Sequence, residues 1–239
     1  MRLVDAALSG PPKTPEAAIA RSAFIVGNVG KLGGELLNAL LESPLYSRVA
    51  VAVRTPVRVV LPKLETVVMP AALGWVPDDL YLCIEPEAQS FWKSTRPYVA
   101  VTSESAVAIA VQMCAAGARR VAVVTPLEAL LQLGMTPAIR NVDELAIVNA
   151  GYQRVLILRP VADAEASRSS GLLEAIGGGV VRILASYMSP RSLQPVRRRQ
   201  AAQATVESLS TLADGVHVIG AAQLRELVGD PMEGKRKLY

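Results

Sequence analysis

Short apolar runs and longer segments with helical periodicity alternate along this chain. Runs rich in valine, leucine and alanine predict buried strands, at Ala23–Val26, Arg48–Val53, Leu64–Met69, Asp79–Ile84, Arg120–Thr125, Arg154–Leu158 and Val216–Ile219. Helical patterns lie at Leu36–Leu41, Ser103–Ala116, Pro137–Ala150, Gln200–Leu212 and Ala221–Val228. Strands that alternate with helices are typical of α/β proteins with a parallel sheet. The chain is therefore predicted to be an α/β protein.

Two of these segments allow more detailed predictions. The stretch 56–64 contains two prolines and no helical period, so we expect the helix that joins parallel strands to be short or absent there. The helix at Ser103–Ala116 is predicted to end at Gly117, a residue suited to a C-cap. The predicted buried face of that helix comprises Val107, Ala110, Val111 and Cys114.

Glycines separate the first strand from the first helix. Gly27 allows a sharp turn off the strand, Gly30 allows the backbone to approach a pyrophosphate, and Gly33 allows the helix to lie close to the sheet. The free N–H groups of the helix then point at the anion. A plain βα turn is the alternative, but strand, glycines and helix in this order favour a dinucleotide site. The predicted cofactor contacts are Gly27, Asn28, Val29, Gly30, Lys31, Leu32 and Gly33.

The end of the second strand bears on the choice of cofactor. Arg54 and Thr55 follow this strand, where an acidic residue would hold the 2′-hydroxyl of NAD. Arginine instead pairs with the 2′-phosphate of NADP through its fork of donors. A solvated arginine is the alternative, and Arg58 is a weaker candidate for the same phosphate. Cys83 and Ile84, at the end of the fourth strand, should also lie beside the cofactor.

Length and composition are consistent with one domain. The 239 residues are 51% hydrophobic but only 4% aromatic, which suits a parallel sheet buried on both faces. We expect an N-terminal extension at 1–21 and a Rossmann-like, doubly wound core at 22–160. A small C-terminal lobe at 161–239 is expected to complete the same domain and to cap the carboxyl edge of the sheet.

Several functional classes are not indicated by the sequence. No apolar run approaches the roughly 20 residues of a membrane-spanning helix, and the N-terminus has no sustained apolar core, so a cytoplasmic location is expected. Two separated cysteines and the lone His217 predict neither a disulfide framework nor a metal site. The net charge of +4 fits an anionic cofactor. The basic cluster at Arg197–Arg199 lacks the interleaved aromatic residues of a nucleic-acid surface.

Five stretches carry a family resemblance. They are FIVGNVGKLGGELL (Phe24–Leu37), VAVRTP (Val51–Pro56), AAGARRVAVVT (Ala115–Thr125), VLILRP (Val155–Pro160) and, more weakly, QPVRRRQAA (Gln194–Ala202). With them the chain resembles the atypical short-chain dehydrogenase/reductases, more narrowly the NAD(P)H-binding branch of Tat-interacting-protein-like oxidoreductases. The resemblance spans roughly residues 22–228. It implies a Rossmann fold, NADP(H) binding and a small C-terminal substrate lobe.

The resemblance fails at the residues that carry the family's chemistry. Active members have a serine after the fifth strand and a Tyr-x-x-x-Lys pair on the next helix, whose tyrosine is the acid or base. Here Thr125 follows the fifth strand, and the best alignment places Thr136 and Arg140 at the tyrosine and lysine positions. Threonine has no phenolic proton to give near neutral pH, and arginine cannot act as a base. The cofactor half therefore looks intact and the catalytic half eroded.

Two functions follow from this contrast. The first is a weak or non-catalytic NADP(H)-binding protein with a regulatory role. The alternative is an active NADPH-dependent oxidoreductase with a non-standard site for a carbonyl, quinone or flavin, in which Thr125, Glu85 and Arg140 position the substrate. The expected partners are the dinucleotide, an unknown small molecule, and a second copy of the chain or another protein. No membrane or nucleic-acid partner is expected.

Overall fold

Strands and helices alternate through the residues that the computed structural model describes, which are 20–27, 31–58, 61–69, 73–84, 97–125, 142–160 and 196–228. The described strands are β1 (Arg21–Val26), β2 (Tyr46–Val53), β3 (Leu64–Val68), β4 (Asp79–Cys83), β5 (Arg120–Val124), β6 (Arg154–Leu158) and β7 (Gly215–Ile219). The described helices are α1 (Lys31–Glu42), α2 (Ser103–Ala116), α3 (Val142–Val148), α4 (Arg198–Thr211) and α5 (Ala221–Val228). These bounds agree closely with the predicted elements where both are defined.

The strands form one seven-stranded parallel sheet. Their order is β3-β2-β1-β4-β5-β6-β7, and every neighbouring pair is parallel. The order reverses at β1, because β2 and β3 lie on one side of it and β4 to β7 on the other. This is the doubly wound, Rossmann-like topology, with its switch point between β1 and β4. The predicted α/β fold class is confirmed.

Helices cover both faces of the sheet. Alternate strand residues point to opposite faces, and the core accordingly divides into two clusters. Ile25 and Tyr81 lie in the cluster that contains α1, α4 and α5, whereas Phe24 and Leu82 lie in the cluster that contains α2 and α3. The connection between β2 and β3 has no helix in its described residues, 54–58 and 61–63, as the prolines predicted.

Helix α2 has the predicted ends but a different buried face. Thr102 caps its N-terminus, and Gly117 ends it with φ +115°, which favours glycine. Ala106 and Ala110 are fully buried, whereas Val111 is 47% exposed. The prediction that Val111 lies on the buried face is therefore wrong. Apolar residues run almost all round this helix, so its periodicity could not identify the inward side.

The described part of the C-terminal segment, residues 196–228, widens the sheet and covers one face. Strand β7 pairs with β6, and α4 lies against α1 on the same face of the sheet. The expected cap of the carboxyl edge by residues 161–239 stays a prediction, because residues 161–195 and 229–239 lie outside the described residues, as do residues 1–19 of the predicted extension. No helix in the described ranges has both the length and the apolar character needed to cross a membrane.

Arg154, the first residue of β6, fastens α4 to the sheet. Its guanidinium donates to the carbonyl oxygens of Leu209 at 2.7 Å, Ser210 at 3.2 Å and Ala213 at 3.1 Å, and pairs with Asp214 at 3.0 Å. The last carbonyls of a helix have no partner within the helix. Arg154 therefore caps the C-terminus of α4 from a position on the sheet.

This arrangement predicts unequal effects for the two partners of the ion pair. Arg154→Ala is expected to lower the free energy of unfolding by about 2 kcal/mol, because several carbonyls lose a charged donor. Asp214→Ala should cost about 0.5 kcal/mol or less, since the Asp214 side chain is 70% exposed. Urea denaturation of both variants tests this. Equal losses would show that the ion pair, and not the capping of α4, carries the stabilisation.

A buried polar cluster lies at the amino end of the sheet. Asp79 is fully buried and accepts hydrogen bonds from the Tyr46 hydroxyl at 2.6 Å and from the Arg120 guanidinium. The Tyr46 and Tyr81 hydroxyl oxygens lie 2.7 Å apart. Burial raises the pKa of Asp79 and of both tyrosines above their ordinary values, although the bonds from Tyr46 and Arg120 pull the pKa of Asp79 back in part. Because β4 and β5 begin here, this cluster is at the opposite end of the sheet from the predicted cofactor site.

Candidate functional site

Gly27 marks the point where the chain leaves β1. Its φ of +91° lies in the region that favours glycine. A Cβ at this position would overlap the carbonyl oxygen of Cys83 at the end of β4, and would lie 3.2 Å from Cγ2 of Val101. The backbone after β1 therefore passes directly against the end of β4. This close approach occurs at the switch point, where open α/β sheets bind their ligands.

The first turn of α1 follows at the same edge. Lys31 is exposed, whereas Leu32 and Gly33 are buried against the rest of the protein. The burial of Gly33 agrees with the role predicted for it in close helix packing. Asn28, Val29 and Gly30 lie outside the described residues. The described ends of the turn place the amino end of a 12-residue helix beside the carboxyl edge of β1, a position that favours an anion.

Arg54 and Thr55 emerge directly after β2, and both are exposed. The register pairs Ile25 with Val51, so Arg54 lies about two residues beyond the level at which β1 ends. The backbone N–H of Arg54 donates to the carbonyl oxygen of Pro97 at 2.6 Å. The exposed side chain of Arg54 thus stands at the carboxyl edge, next to the turn after β1.

Residues Pro97–Val101, which we term the strap, cross this edge. Tyr98 forms an antiparallel bridge with Val53, and the Val99 N–H donates to the carbonyl oxygen of Ala52 at 3.4 Å. Since the carbonyl of Val53 accepts from Met69 on the β3 side, Ala52 and Arg54 must face the β1 side. The strap therefore pairs with β2 in the place that β1 would fill if it continued.

The predicted catalytic residues are only partly described. Thr125 follows β5, and its N–H donates to the carbonyl oxygen of Leu158 at 3.0 Å. It therefore lies at the carboxyl edge, one strand further from the switch point than Cys83. Thr136, Arg140 and Glu85 lie outside the described residues. Of the predicted helix at Pro137–Ala150, the structure describes the later part as α3, at Val142–Val148.

A buried ion pair joins α3 to the end of β6. The Arg159 guanidinium and the Glu144 carboxylate approach to 2.6 Å, with side chains 3% and 10% exposed. The Arg159 backbone N–H also bonds the Ile219 carbonyl oxygen of β7 at 2.9 Å. A buried charge pair of this kind is costly to break. It therefore fixes α3, the first described helix after β5, against the carboxyl edge of the sheet.

Comparisons with known proteins found likeness only to solved structures, at low identity and low TM-score. No protein-family model matches it, and no curated protein matches it. An oxidoreductase from Lactococcus lactis covers 89% of this chain and 97% of its own, at 13% identity and a TM-score of 0.43. A short-chain dehydrogenase family protein from Francisella tularensis covers 85% and 98%, at 12% identity and a TM-score of 0.43. A candidate epimerase from Bacteroides thetaiotaomicron covers 60% and 72%, at 17% identity and a TM-score of 0.37.

The structure brings the predicted residues together at one edge, as the topology requires. Gly27, Lys31, Arg54 and Thr55 surround the ends of β1 and β2, while Cys83 closes the β4 side and Ile84 donates its N–H to Val124 at 2.9 Å. Within the described ranges no three His, Cys, Asp or Glu side chains are arranged to hold a metal ion. The described residues between β1 and β2 offer backbone groups and the exposed cations Lys31 and Arg54, which suit an anionic ligand.

Two features of this edge were missed by the sequence reasoning. The strap contains no motif, and nothing in its sequence indicates that it returns to β2. The Glu144–Arg159 pair could have been anticipated in part, because Arg159 directly follows a predicted strand and so had to lie at the carboxyl edge. Its partner Glu144 could not be anticipated, because the sequence does not show which face of α3 turns inward.

Proposed function

We propose that this protein binds NADP(H) at the carboxyl edge of its sheet, between β1 and β4. The observation that carries the proposal is the turn at Gly27, where a positive φ and close approach to Cys83 occur together at the switch point. Only glycine allows both features at once. This is the combination that lets a backbone approach a pyrophosphate.

The residues around the turn fit the pyrophosphate end of such a ligand. The amino end of α1 supplies unpaired N–H groups and the positive end of the helix dipole. Lys31 is exposed there and adds a full charge. Asn28, Val29, Gly30, Leu32 and Gly33 complete the proposed turn, and Cys83 and Ile84 flank it from β4. The nicotinamide group would supply hydride chemistry where a substrate is bound.

The choice of NADP(H) over NAD(H) rests on Arg54. A carboxylate at the end of β2 would accept bonds from a ribose hydroxyl, whereas an exposed guanidinium attracts a 2′-phosphate. Thr55 adds an exposed hydroxyl beside it. Guanidinium and phosphate can form two parallel hydrogen bonds, which makes the pairing selective as well as favourable.

We propose that the protein catalyses hydride transfer weakly or not at all. Thr136 and Arg140 stand where the resemblance expects tyrosine and lysine, and neither can take over the proton transfer of the pair. Because this pair is missing, the proposed role of the nucleotide-bound protein is regulation or the binding of a partner. The observation that favours the alternative, an active oxidoreductase, is the position of Thr125 at the carboxyl edge beside β6. Its hydroxyl could orient a quinone, flavin or carbonyl.

Titration with the four nicotinamide dinucleotides tests the binding proposal. Arg54→Ala is expected to weaken NADPH binding by about 10- to 100-fold, because charge-assisted bonds to the phosphate are lost. NADH binding should be unchanged, since NADH has no 2′-phosphate. Arg119→Ala removes an exposed arginine at the opposite, amino end of the sheet, and it is the matched control for net charge. Calorimetry measures each Kd, and equal weakening of NADPH and NADH would contradict the role of Arg54.

Steady-state assays distinguish the two functions. With NADPH and a panel of carbonyls, quinones and flavins, we expect no turnover at the ordinary enzymatic rates of about 1 per second or more. Turnover at such a rate that is lost in Thr125→Val would establish the oxidoreductase instead. Thr125→Val removes the hydroxyl but keeps the shape of the side chain, so binding of NADPH serves as the control for folding.

A further inference from the structure

The strap lies where the proposed ligand needs space. A dinucleotide with its pyrophosphate at the start of α1 and its 2′-phosphate at Arg54 must place its adenosine ribose between them. That position lies directly beyond the end of β1, against the inner side of β2. The strap fills it, since Pro97 and Val99 bond to Arg54 and Ala52 on that side of the strand.

Side chains on both faces of the sheet hold the strap in place. Tyr98 packs against the core cluster that contains α1, and Val99 packs against the cluster that contains α2. Val101 is only 5% exposed and lies close to Gly27. Two described hydrogen bonds join the strap to β2: the Arg54 N–H donates to the Pro97 carbonyl oxygen at 2.6 Å, and the Val99 N–H donates to the Ala52 carbonyl oxygen at the longer distance of 3.4 Å. The bond at Val99 is therefore the weaker of the two, and the buried Val101 is the firmer anchor of the strap.

We propose that the strap is a gate over the adenosine end of the site, so that NADP(H) binds only when Pro97–Val99 leaves the edge of β2. This inference rests on the proposed function. Val101, buried beside Gly27, is the fixed end from which Pro97–Val99 swings away.

The gate has a consequence for affinity. If only a small fraction of the protein molecules has the strap open, the apparent Kd equals the Kd of the open form divided by that fraction, so binding is weaker. A change that loosens the strap without touching the ligand site must therefore tighten binding. Val99→Pro removes the N–H that bonds Ala52, and it should tighten NADPH binding by about twofold, because this bond is long and contributes at the low end of the range for one hydrogen bond.

Hydrogen exchange of single backbone amides tests the gate directly. On saturation with NADPH, the Val99 amide is expected to exchange at least about tenfold faster, because its acceptor on β2 is lost. The Met69 amide bonds Val53 at 2.9 Å on the opposite side of β2, and it should not change. Adenosine 2′,5′-bisphosphate should act like NADPH, whereas nicotinamide mononucleotide, which lacks adenosine, should leave Val99 protected.

The variants separate failure of the gate from failure of the proposed function. Ala100→Pro is the matched control for Val99→Pro, because Ala100 is exposed and its N–H makes no hydrogen bond to the described residues. If NADPH binds to the wild-type protein while the Val99 amide stays protected from exchange, the gate proposal is wrong and the proposed function stands. NADPH that binds Val99→Pro more tightly than wild type and Ala100→Pro supports it. If neither wild type nor Val99→Pro binds any dinucleotide, the proposed function fails and the gate fails with it.

Discussion

Replacing Gly27 with alanine is expected to lower the free energy of unfolding by about 3 kcal/mol or more. A φ of +91° costs an L-residue about 1–2 kcal/mol, and the new Cβ would overlap the Cys83 carbonyl oxygen. That oxygen belongs to a central strand, so relief requires β1 and β4 to separate, which adds an overpacking cost of about 1–3 kcal/mol. Urea denaturation measures the loss, and NADPH binding should weaken in parallel.

Gly34→Ala is the matched control for this substitution. Gly34 lies in the interior of α1, and a Cβ built there meets no atom within 4 Å. Alanine is favoured over glycine in a helix by about 0.5–1 kcal/mol, so this variant should be as stable as wild type or more so. Comparable destabilisation by both substitutions would show that the glycine-rich segment is sensitive to any side chain, and would remove the argument for close approach at Gly27.

Removing the carboxylate of Asp79 is expected to have the second large effect. Asp79→Ala should cost about 3–5 kcal/mol, because the Arg120 charge loses its buried partner and the Tyr46 hydroxyl loses an acceptor. The Asp79 side chain is fully buried and that of Arg120 is 14% exposed. Water therefore cannot replace the lost bonds without entering the core. Chemical denaturation followed by circular dichroism measures the change.

Glu65 provides a control with the same kind of partners in a different setting. Its carboxylate accepts from the Arg48 guanidinium at 2.6 and 3.0 Å and from the Trp75 indole N–H at 3.2 Å. The Arg48 and Glu65 side chains are 49% and 42% exposed. Glu65→Ala should therefore cost about 1 kcal/mol or less. A loss as large as that of Asp79→Ala would mean that burial does not decide the value of such clusters in this protein.

Most of the fold could be predicted because its elements are local in sequence. The short apolar runs correspond to the strands of the structure, and the chain turns at Gly27, directly after the first of them. The bounds of α2 and α5 and of β6 agree with the prediction to the residue. The hydrophobic pattern failed to predict the buried face of a helix whose residues are apolar on nearly every side. The apolar side chains of α2 lie on nearly every side of the helix, so its sequence could not show that Val111 faces outward.

The site was predictable only where one sequence segment builds it. Gly27 and Arg54 could be placed at the carboxyl edge because each directly follows a strand, and all strands of a parallel sheet end on the same edge. The position of the strap depends on contacts between residues about 45 apart in sequence. No periodicity or motif encodes such a contact, so its return to β2 could not be foreseen.

The order of the strands and helices along the chain, the predicted glycine turn after β1 and the lack of a Tyr-x-x-x-Lys pair all follow from the amino-acid sequence. Each is a property of residue type at a given spacing, and such properties act through local sterics and burial. Tertiary structure alone decided that β4 passes against Gly27, that Glu144 meets Arg159, and that the strap fills the edge of β2. These features depend on how distant segments share limited space, which is fixed only when the whole sheet is assembled.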